Sequence, residues 1–385
     1  MMATSSGTLS TPSAEHRGLL AESVADFVAR GTDIARVRRL RGTSAEYDRA
    51  LWKKMAGLGW LGILVPERYG GLGLGLADMA IVARGLARAL IPEPLTATAV
   101  AAATALGAAE NEALKRAQLP RLVAGDLLPV LAWQEQAGGL DPAAVETRAT
   151  PFEGGFKLNG TKRFVAGAAQ ADAFLVSARA GGGVVLLLLP RETAGAALSF
   201  EPLADGRAFG TLALHDALVP RSGLAASGAA ALEALARAFD HGCAIAGAEL
   251  AGVMDRALEM SLDYLRTRVQ FGKPIGAFQA LQHRAVDLHI HRELASAVLE
   301  EALDVLDRNP AAPARAAAAS RVKARCADAA TRITREAIQF HGAIGFTDEF
   351  DVGLYLKRAL VLTAWLGGAT WHRRRYARLA IESST

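Results

Sequence analysis

The rhythm of apolar and polar positions changes twice along the chain. From Ala14 to about Asp126, apolar residues recur at helical spacing, most clearly over 45–55, 76–90 and 110–123. Near Leu127 the texture shifts to short apolar runs with turn residues between them. These runs cover 128–133, 156–158, 161–165, 173–178, 184–189, 198–203 and 211–214. Asn159-Gly160 lies between two of the runs and predicts a hairpin turn. Strands at this spacing predict a small β-barrel or sandwich. From about Ser222 the helical rhythm returns and holds to the end, with long amphipathic stretches over 234–265 and 277–306. Asn309-Pro310-Ala311-Ala312-Pro313 separates the second stretch from a helix expected to start near Ala314. The pattern predicts a mainly α protein with a central β-domain. The expected organisation is a tail over 1–13, an N-terminal helical domain over 14–126, a middle β-domain over 127–221 and a C-terminal helical bundle over 222–385.

Two breaks in the pattern carry chemistry-bearing residues. The run Phe271-Gly272-Lys273-Pro274-Ile275-Gly276 must stop one helix before the next begins, because Pro274 cannot continue it and two glycines permit a tight path. Arg266, Arg268 and Lys273 sit at this break beside a new helix N-terminus. That is either an anion site or a helix–turn–helix with solvated charges. Val65-Pro66-Glu67-Arg68-Tyr69-Gly70-Gly71-Leu72-Gly73 is the other break. It lacks the strand and the Lys-Ser/Thr of a phosphate loop, so it is expected to be a tight turn between helices.

Composition narrows the class. A chain of 385 residues that is 51% hydrophobic buries a sizeable core, and few aromatics with abundant alanine favour closely packed helices. The net charge of +4 suits an anionic substrate. No Lys/Arg run has the density of a nucleic-acid site, and Arg373-Arg374-Arg375 is expected to be a solvated helix face. Cys243 and Cys326 are the only cysteines, which points to a reducing compartment and gives no metal-ligand spacing. The N-terminal stretch has no charged and apolar leader pattern, and no apolar run is long enough for a membrane span, so a cytoplasmic protein is expected.

The stretch Arg268-Val269-Gln270-Phe271-Gly272-Lys273-Pro274-Ile275-Gly276, continuing through Gln279, resembles the signature of the acyl-CoA dehydrogenase flavoproteins. Gln339-Phe340-His341-Gly342-Ala343-Ile344-Gly345-Phe346 resembles that family's other FAD segment, and the likeness covers the chain from about Ala14 onward. It implies an N-terminal helical domain, a middle β-barrel and a C-terminal four-helix bundle that builds a tetramer. It further implies that Arg268, Gln270, Phe271 and Gln279, with Gln339, Gly342 and Ala343, reach an FAD held mainly by a neighbouring subunit. In such enzymes the acyl-CoA lies between the β-domain and the bundle, stacked on the flavin. A carboxylate removes the α-proton, and a backbone N–H polarises the thioester oxygen.

The residues depart from the family at the base and at the flavin ring. The usual glutamate position after the second FAD segment holds Leu366, which retains only its backbone N–H for the thioester. The alternative position, on the helix before Arg268, holds Gly242. Asp240 and, further off, Glu249 are the substitute acids within reach in sequence; each is otherwise a helix-surface or interhelix charge. The ring-binding stretch after the first strand is Trp133-Gln134-Glu135-Gln136-Ala137-Gly138-Gly139-Leu140-Asp141. There Gln134 and Leu140 stand where hydroxyl side chains commonly bond the ring and the pyrophosphate. The element that flanks the ring is Phe164-Val165-Ala166, with no hydroxyl.

The FAD-lending half is therefore intact and the FAD-holding half is altered. In this the chain resembles small-subunit chains of heteromeric bacterial acyl-CoA dehydrogenases, including the pimeloyl-CoA and steroid side-chain types. The expectation is an FAD-dependent α,β-desaturation of a CoA thioester, with electrons passed to an electron-transfer flavoprotein. It is to be carried out in a homotetramer or with a paralogous chain. The alternatives are a non-catalytic, FAD-completing or structural subunit and an oxygen-using flavin relative. No metal, nucleic-acid or membrane partner is expected.

Overall fold

The structure is a computed structural model and describes residues 14–31, 33–39 and 47–382. The expected tail and the start of the 45–55 helical pattern lie outside the described residues. Six short helices build the N-terminal part: α1 (Ala14–Gly31), α2 (Ile34–Arg39), α3 (Arg49–Gly57), α4 (Leu76–Arg88), α5 (Ala103–Gly107) and α6 (Glu112–Val123). Asp48 caps α3 by accepting from the N–H groups of Ala50 and Leu51. The Gly-rich stretch is a turn, as its spacing suggests. A Cβ on Gly71 would lie 2.0 Å from the Val65 carbonyl oxygen, so only glycine fits. A π-helical run of small buried residues, Thr96–Ala102, leads into α5 and packs against the bundle.

The β-domain is one connected sheet of β1 (Pro129–Ala132), β2 (Arg148–Phe152), β3 (Gly155–Ala166), β4 (Ala173–Ala180), β5 (Gly183–Pro190), β6 (Ala196–Pro202), β7 (Ala208–Pro220) and β8 (Leu224–Ser227). Its order is β6-β7-β3-β2-β4-β5-β8, with β1 parallel to β4. β4 and β5 are buried on both faces over most of their length, and β5 accordingly reads as an unbroken apolar run. The sequence reading errs in two places here. Asn159-Gly160 makes no hairpin turn; it is an irregularity inside the single long strand β3, where pairing with β7 shifts register. The Asn159 amide is spent across the sheet, donating to Asp216 Oδ1 at 2.9 Å and accepting the Asp216 N–H at 3.0 Å. The hairpin itself turns between Phe152 and Gly155. In addition, 224–227 forms a strand paired with β5, where a helix was expected from Ser222.

Five helices complete the chain: α7 (Gly228–Thr267), α8 (Gln279–Asp307), α9 (Ala312–His341), α10 (Val352–Ala364) and α11 (Ala369–Glu382). α7 is the central pillar, packed on α9 along one side and on α4 along the other. Small residues permit the close approach. A Cβ on Gly252 would lie 2.2 Å from the Arg84 carbonyl oxygen on α4. Asp307 at the end of α8 accepts from the Leu76 and Ala77 N–H groups and so caps α4 from another domain. Among the described residues no helix is long and apolar enough to cross a membrane.

Candidate flavin and thioester site

The turn that follows α10 is under backbone strain and is held from several sides. Leu366 has φ +59 and Gly367 has φ +99, two consecutive residues outside the ordinary regions. Lys323 of α9 is fully buried and donates to the carbonyls of Thr363 at 3.1 Å and Gly367 at 2.8 Å. His372 Nε2 lies 2.9 Å from the Leu366 carbonyl, and since a carbonyl only accepts, the proton is on Nε2. Burial pulls the Lys323 pKa down to about 8 and that of His372 to about 3.

The Leu366 side chain sits in an apolar cluster with Leu140, Phe239, Cys243 and Ala319, walled by Trp133, Trp365 and Trp371. Phe239 meets Trp133 at 5.6 Å and Trp371 at 5.8 Å, both edge-on. The cluster bridges the β-domain loop at Leu140 to α7, α9 and α11. It thereby fills the seam between β-domain and bundle. A Cβ on Gly242 would lie 3.1 Å from Leu366 Cδ1, so the fold brings the two alternative base positions together, and neither is acidic. A small cavity, of about 20 Å³, remains beside them, between Trp133, Phe164, Ala166, Phe239 and Trp365.

The ring-binding stretch is committed to internal contacts. Gln134 Nε2 donates to the Gln136 carbonyl at 3.0 Å, and the Gly139 N–H bonds the same carbonyl at 3.1 Å. Glu135 accepts from Lys162 at 2.5 Å and from the Thr147 hydroxyl and N–H at 2.6 and 2.9 Å. Burial opposes its ionisation, yet Lys162 and Thr147 hold its carboxyl below the usual value. Glu135 is thus an anchor for its loop. Phe164, at φ +57, turns its ring edge-on to Phe209, and Val165 is buried in the sheet.

The two segments that resemble the family's FAD motifs lie at the far ends of α7 and α9, where the Tyr264 and His341 rings meet at 4.5 Å, tilted by 30°. Arg268, Gln270, Gln279, Gln339 and Ala343 are exposed there, and Gly342 is half-buried. Phe271 is 89% exposed at φ +53, and Phe346 is 82% exposed.

Neither substitute acid is free. Asp240 is 1% exposed; Arg315 Nε reaches its Oδ2 at 3.1 Å and Arg375 Nη1 its Oδ1 at 2.7 Å. Burial pushes its pKa up, against the pull of both arginines. Arg375 was expected on a solvated face. Instead its guanidinium lies over Phe239 at 5.2 Å and Trp371 at 5.7 Å, closing the seam from outside. Glu249 accepts from Thr96 Oγ1 and Arg358 Nη2, each at 2.5 Å, and lines a cleft that shares Ala97, Ala166 and Trp365 with the cavity beside Leu366. Lys323, His372, Trp371 and Arg358 escape sequence reasoning, because their partners lie far along the chain and no spacing marks them.

Three family models match the chain in order. They are the N-terminal domain of acyl-CoA dehydrogenase over 13–126, the middle domain over 130–216 and the C-terminal domain over 232–381. The chain therefore belongs to the acyl-CoA dehydrogenase family, oxidoreductases that are FAD-binding flavoproteins. Acyl-CoA dehydrogenase IpdE2 of Mycobacterium tuberculosis is 32% identical over 90% of this chain and 91% of its own. The ChsE4-ChsE5 complex from the same organism contains a chain 27% identical to this one, with TM-score 0.87 over 97% of this chain and 99% of that chain. A Tcur3481-Tcur3483 steroid acyl-CoA dehydrogenase variant gives 29% identity and TM-score 0.86 over 96% of this chain and 99% of that chain.

Against these residues FAD fits one half of the expected site. Arg268, Gln270 and Gln339, expected to reach the flavin nucleotide, are exposed and have donors free of the core, which suits binding of phosphates. The residue expected at the pyrophosphate, Leu140, is 8% exposed within the apolar cluster, and its side chain offers no hydrogen bond to that group.

Proposed function

We propose that this chain is the FAD-completing subunit of a two-chain acyl-CoA dehydrogenase. It lends Arg268, Gln270, Phe271 and Gln339 to a flavin site whose other half, with the carboxylate base, belongs to a related partner chain. The reaction is α,β-desaturation of a CoA thioester, in which bound FAD takes up the hydride and an electron-transfer flavoprotein is the onward acceptor. The observation that carries this reading is the apolar filling of the seam by Leu140, Phe239, Leu366 and Trp371, next to lending segments that stay exposed. The paired chains named for the ChsE4-ChsE5 and Tcur3481-Tcur3483 structures support it. In this reading Asp240 is a structural ion-pair partner.

The test is flavin content. The purified chain alone is expected to carry little flavin even after FAD is added. Co-expression with a paralogous acyl-CoA dehydrogenase chain is expected to give a yellow complex that oxidises an acyl-CoA. A full flavin complement and turnover by the single chain would overturn the proposal. The self-sufficient reading would then rest on Glu249, the acid that faces an open cleft.

A further inference from the structure

α9 and α11 leave a groove of about 320 Å³ between them. Arg321, Arg325 and Asp328 line it from α9, and His372 and Arg373 from α11. Positive charge exceeds negative here. Arg373 is paired with Asp328. Arg321 Nη2 meets Glu301 Oε1 at 2.9 Å, at the exposed rim. Arg325 has no carboxylate partner among the described residues. Its Nη2 lies 3.3 Å from both Nδ1 and the carbonyl of His291, which are uncharged acceptors. Three guanidiniums therefore face two carboxylates.

Two buried polar atoms of the lining residues have no hydrogen-bond partner among the described residues, Arg321 Nε and His372 Nδ1. They ask for opposite things. Arg321 Nε is a donor and needs an acceptor. His372 is fully buried and neutral, with its proton on Nε2 and that proton given to the Leu366 carbonyl. Nδ1 is therefore a bare acceptor that needs a donor, and it is the ring nitrogen left for the groove. A buried polar atom without a partner is costly, so the pair describes what is missing. The complement is an anion for the guanidiniums that also carries a hydroxyl proton for His372.

We propose that this groove binds inorganic phosphate, whose oxygens accept from Arg321, Arg325 and Arg373 and whose hydroxyl donates to His372 Nδ1. Planar guanidinium forks match phosphate oxygens. Inorganic phosphate keeps a hydroxyl at neutral and mildly alkaline pH. A phosphate monoester loses its last one above about pH 6, and sulfate has none. The bare acceptor of His372 thus selects inorganic phosphate among anions of similar shape and charge. Bound there, the ion bridges α9 to α11. It also fixes the His372 ring, and through Nε2 the carbonyl of Leu366 in the strained turn.

Calorimetric titration of the full chain with phosphate, sulfate and glycerol 3-phosphate, at about pH 8 and constant ionic strength, tests this. Phosphate is expected to bind at least about tenfold more tightly than either anion that lacks a proton. Arg325→Gln is expected to weaken phosphate binding about tenfold. It breaks no ion pair among the described residues, so it remains a fair test even if Arg321→Gln, expected to act alike, fails to fold. Phosphate and sulfate both stabilise proteins by exclusion from their surfaces. The second readout is therefore a rise in melting temperature with phosphate beyond that with sulfate. Equal affinity for phosphate and sulfate would overturn the proposal and show a diffuse arginine patch. Glycerol 3-phosphate binding as tightly as phosphate, no phosphate binding at millimolar concentration, or wild-type affinity in Arg325→Gln would each overturn it too. The titration needs neither flavin nor a partner chain, so its failure leaves the proposed subunit role standing.

Discussion

Single residues decide where charge is tolerated. Asp240 between Arg315 and Arg375 is a buried ion triad, and breaking such a set costs more than it contributes when whole. Asp240→Asn is expected to destabilise the chain by about 3–5 kcal/mol in urea unfolding, since half-buried Arg375 then loses its carboxylate partner and Arg315 keeps only Glu233. Half-buried His241 and fully buried His372 are neutral, each with its pKa pulled down to about 3 by burial. The unfolded chain binds these protons first. Their contribution is therefore complete above the unfolded value of about 6.5 and is lost as pH falls from there towards about 3. Between those limits stability should drop by up to about 2.7 kcal/mol per pH unit for the pair. Unfolding midpoints measured from pH 7 to 5 check this, with His372→Gln expected to halve the slope. None of this is visible in the chain order. Asp240 and Arg375 look like ordinary helix charges until the fold buries them together.

At the scale of elements, the turn after α10 depends on α9. Lys323→Met should remove both clamping hydrogen bonds on Thr363 and Gly367 and cost about 1–3 kcal/mol. Amide exchange at 364–367 would then quicken ahead of the rest of the molecule; unchanged protection there would show that His372 and the apolar cluster suffice. Strand β3 makes the complementary point. Gly160 has φ +147, and a Cβ there would lie 2.7 Å from Thr147 Oγ1. Gly160→Ala is expected to lower stability by more than about 1 kcal/mol, measurable by thermal unfolding. The run from Phe156 to Val165 was legible as apolar strand, but a turn dipeptide cannot tell a hairpin from an irregularity within one strand. That choice rests on Asp216, a long way on, which engages the Asn159 amide.

For the whole molecule the lending surface matters most. Arg268 is exposed in the isolated chain, so Arg268→Ala should leave its melting temperature unchanged. In a co-expressed complex the same change should weaken FAD retention by about 1–3 kcal/mol, the worth of a charged hydrogen bond. Equal FAD affinity in the variant complex would remove Arg268 from the site.

The order of helices, strands and helices, and the two FAD-lending segments, could be read from the chain because they depend on local periodicity and on contiguous residues. The absence of an acid at Gly242 and Leu366 could be read for the same reason. The closure of the seam could not. Leu140, Phe239, Leu366 and Trp371 are apolar residues in four separate stretches, and apolar character alone does not say which surfaces will meet. The pairing of Asp240 and the clamp on the turn at Leu366 likewise depend on distances between residues remote in sequence. Burial turns such distances into energies, by removing the water that would otherwise satisfy each group.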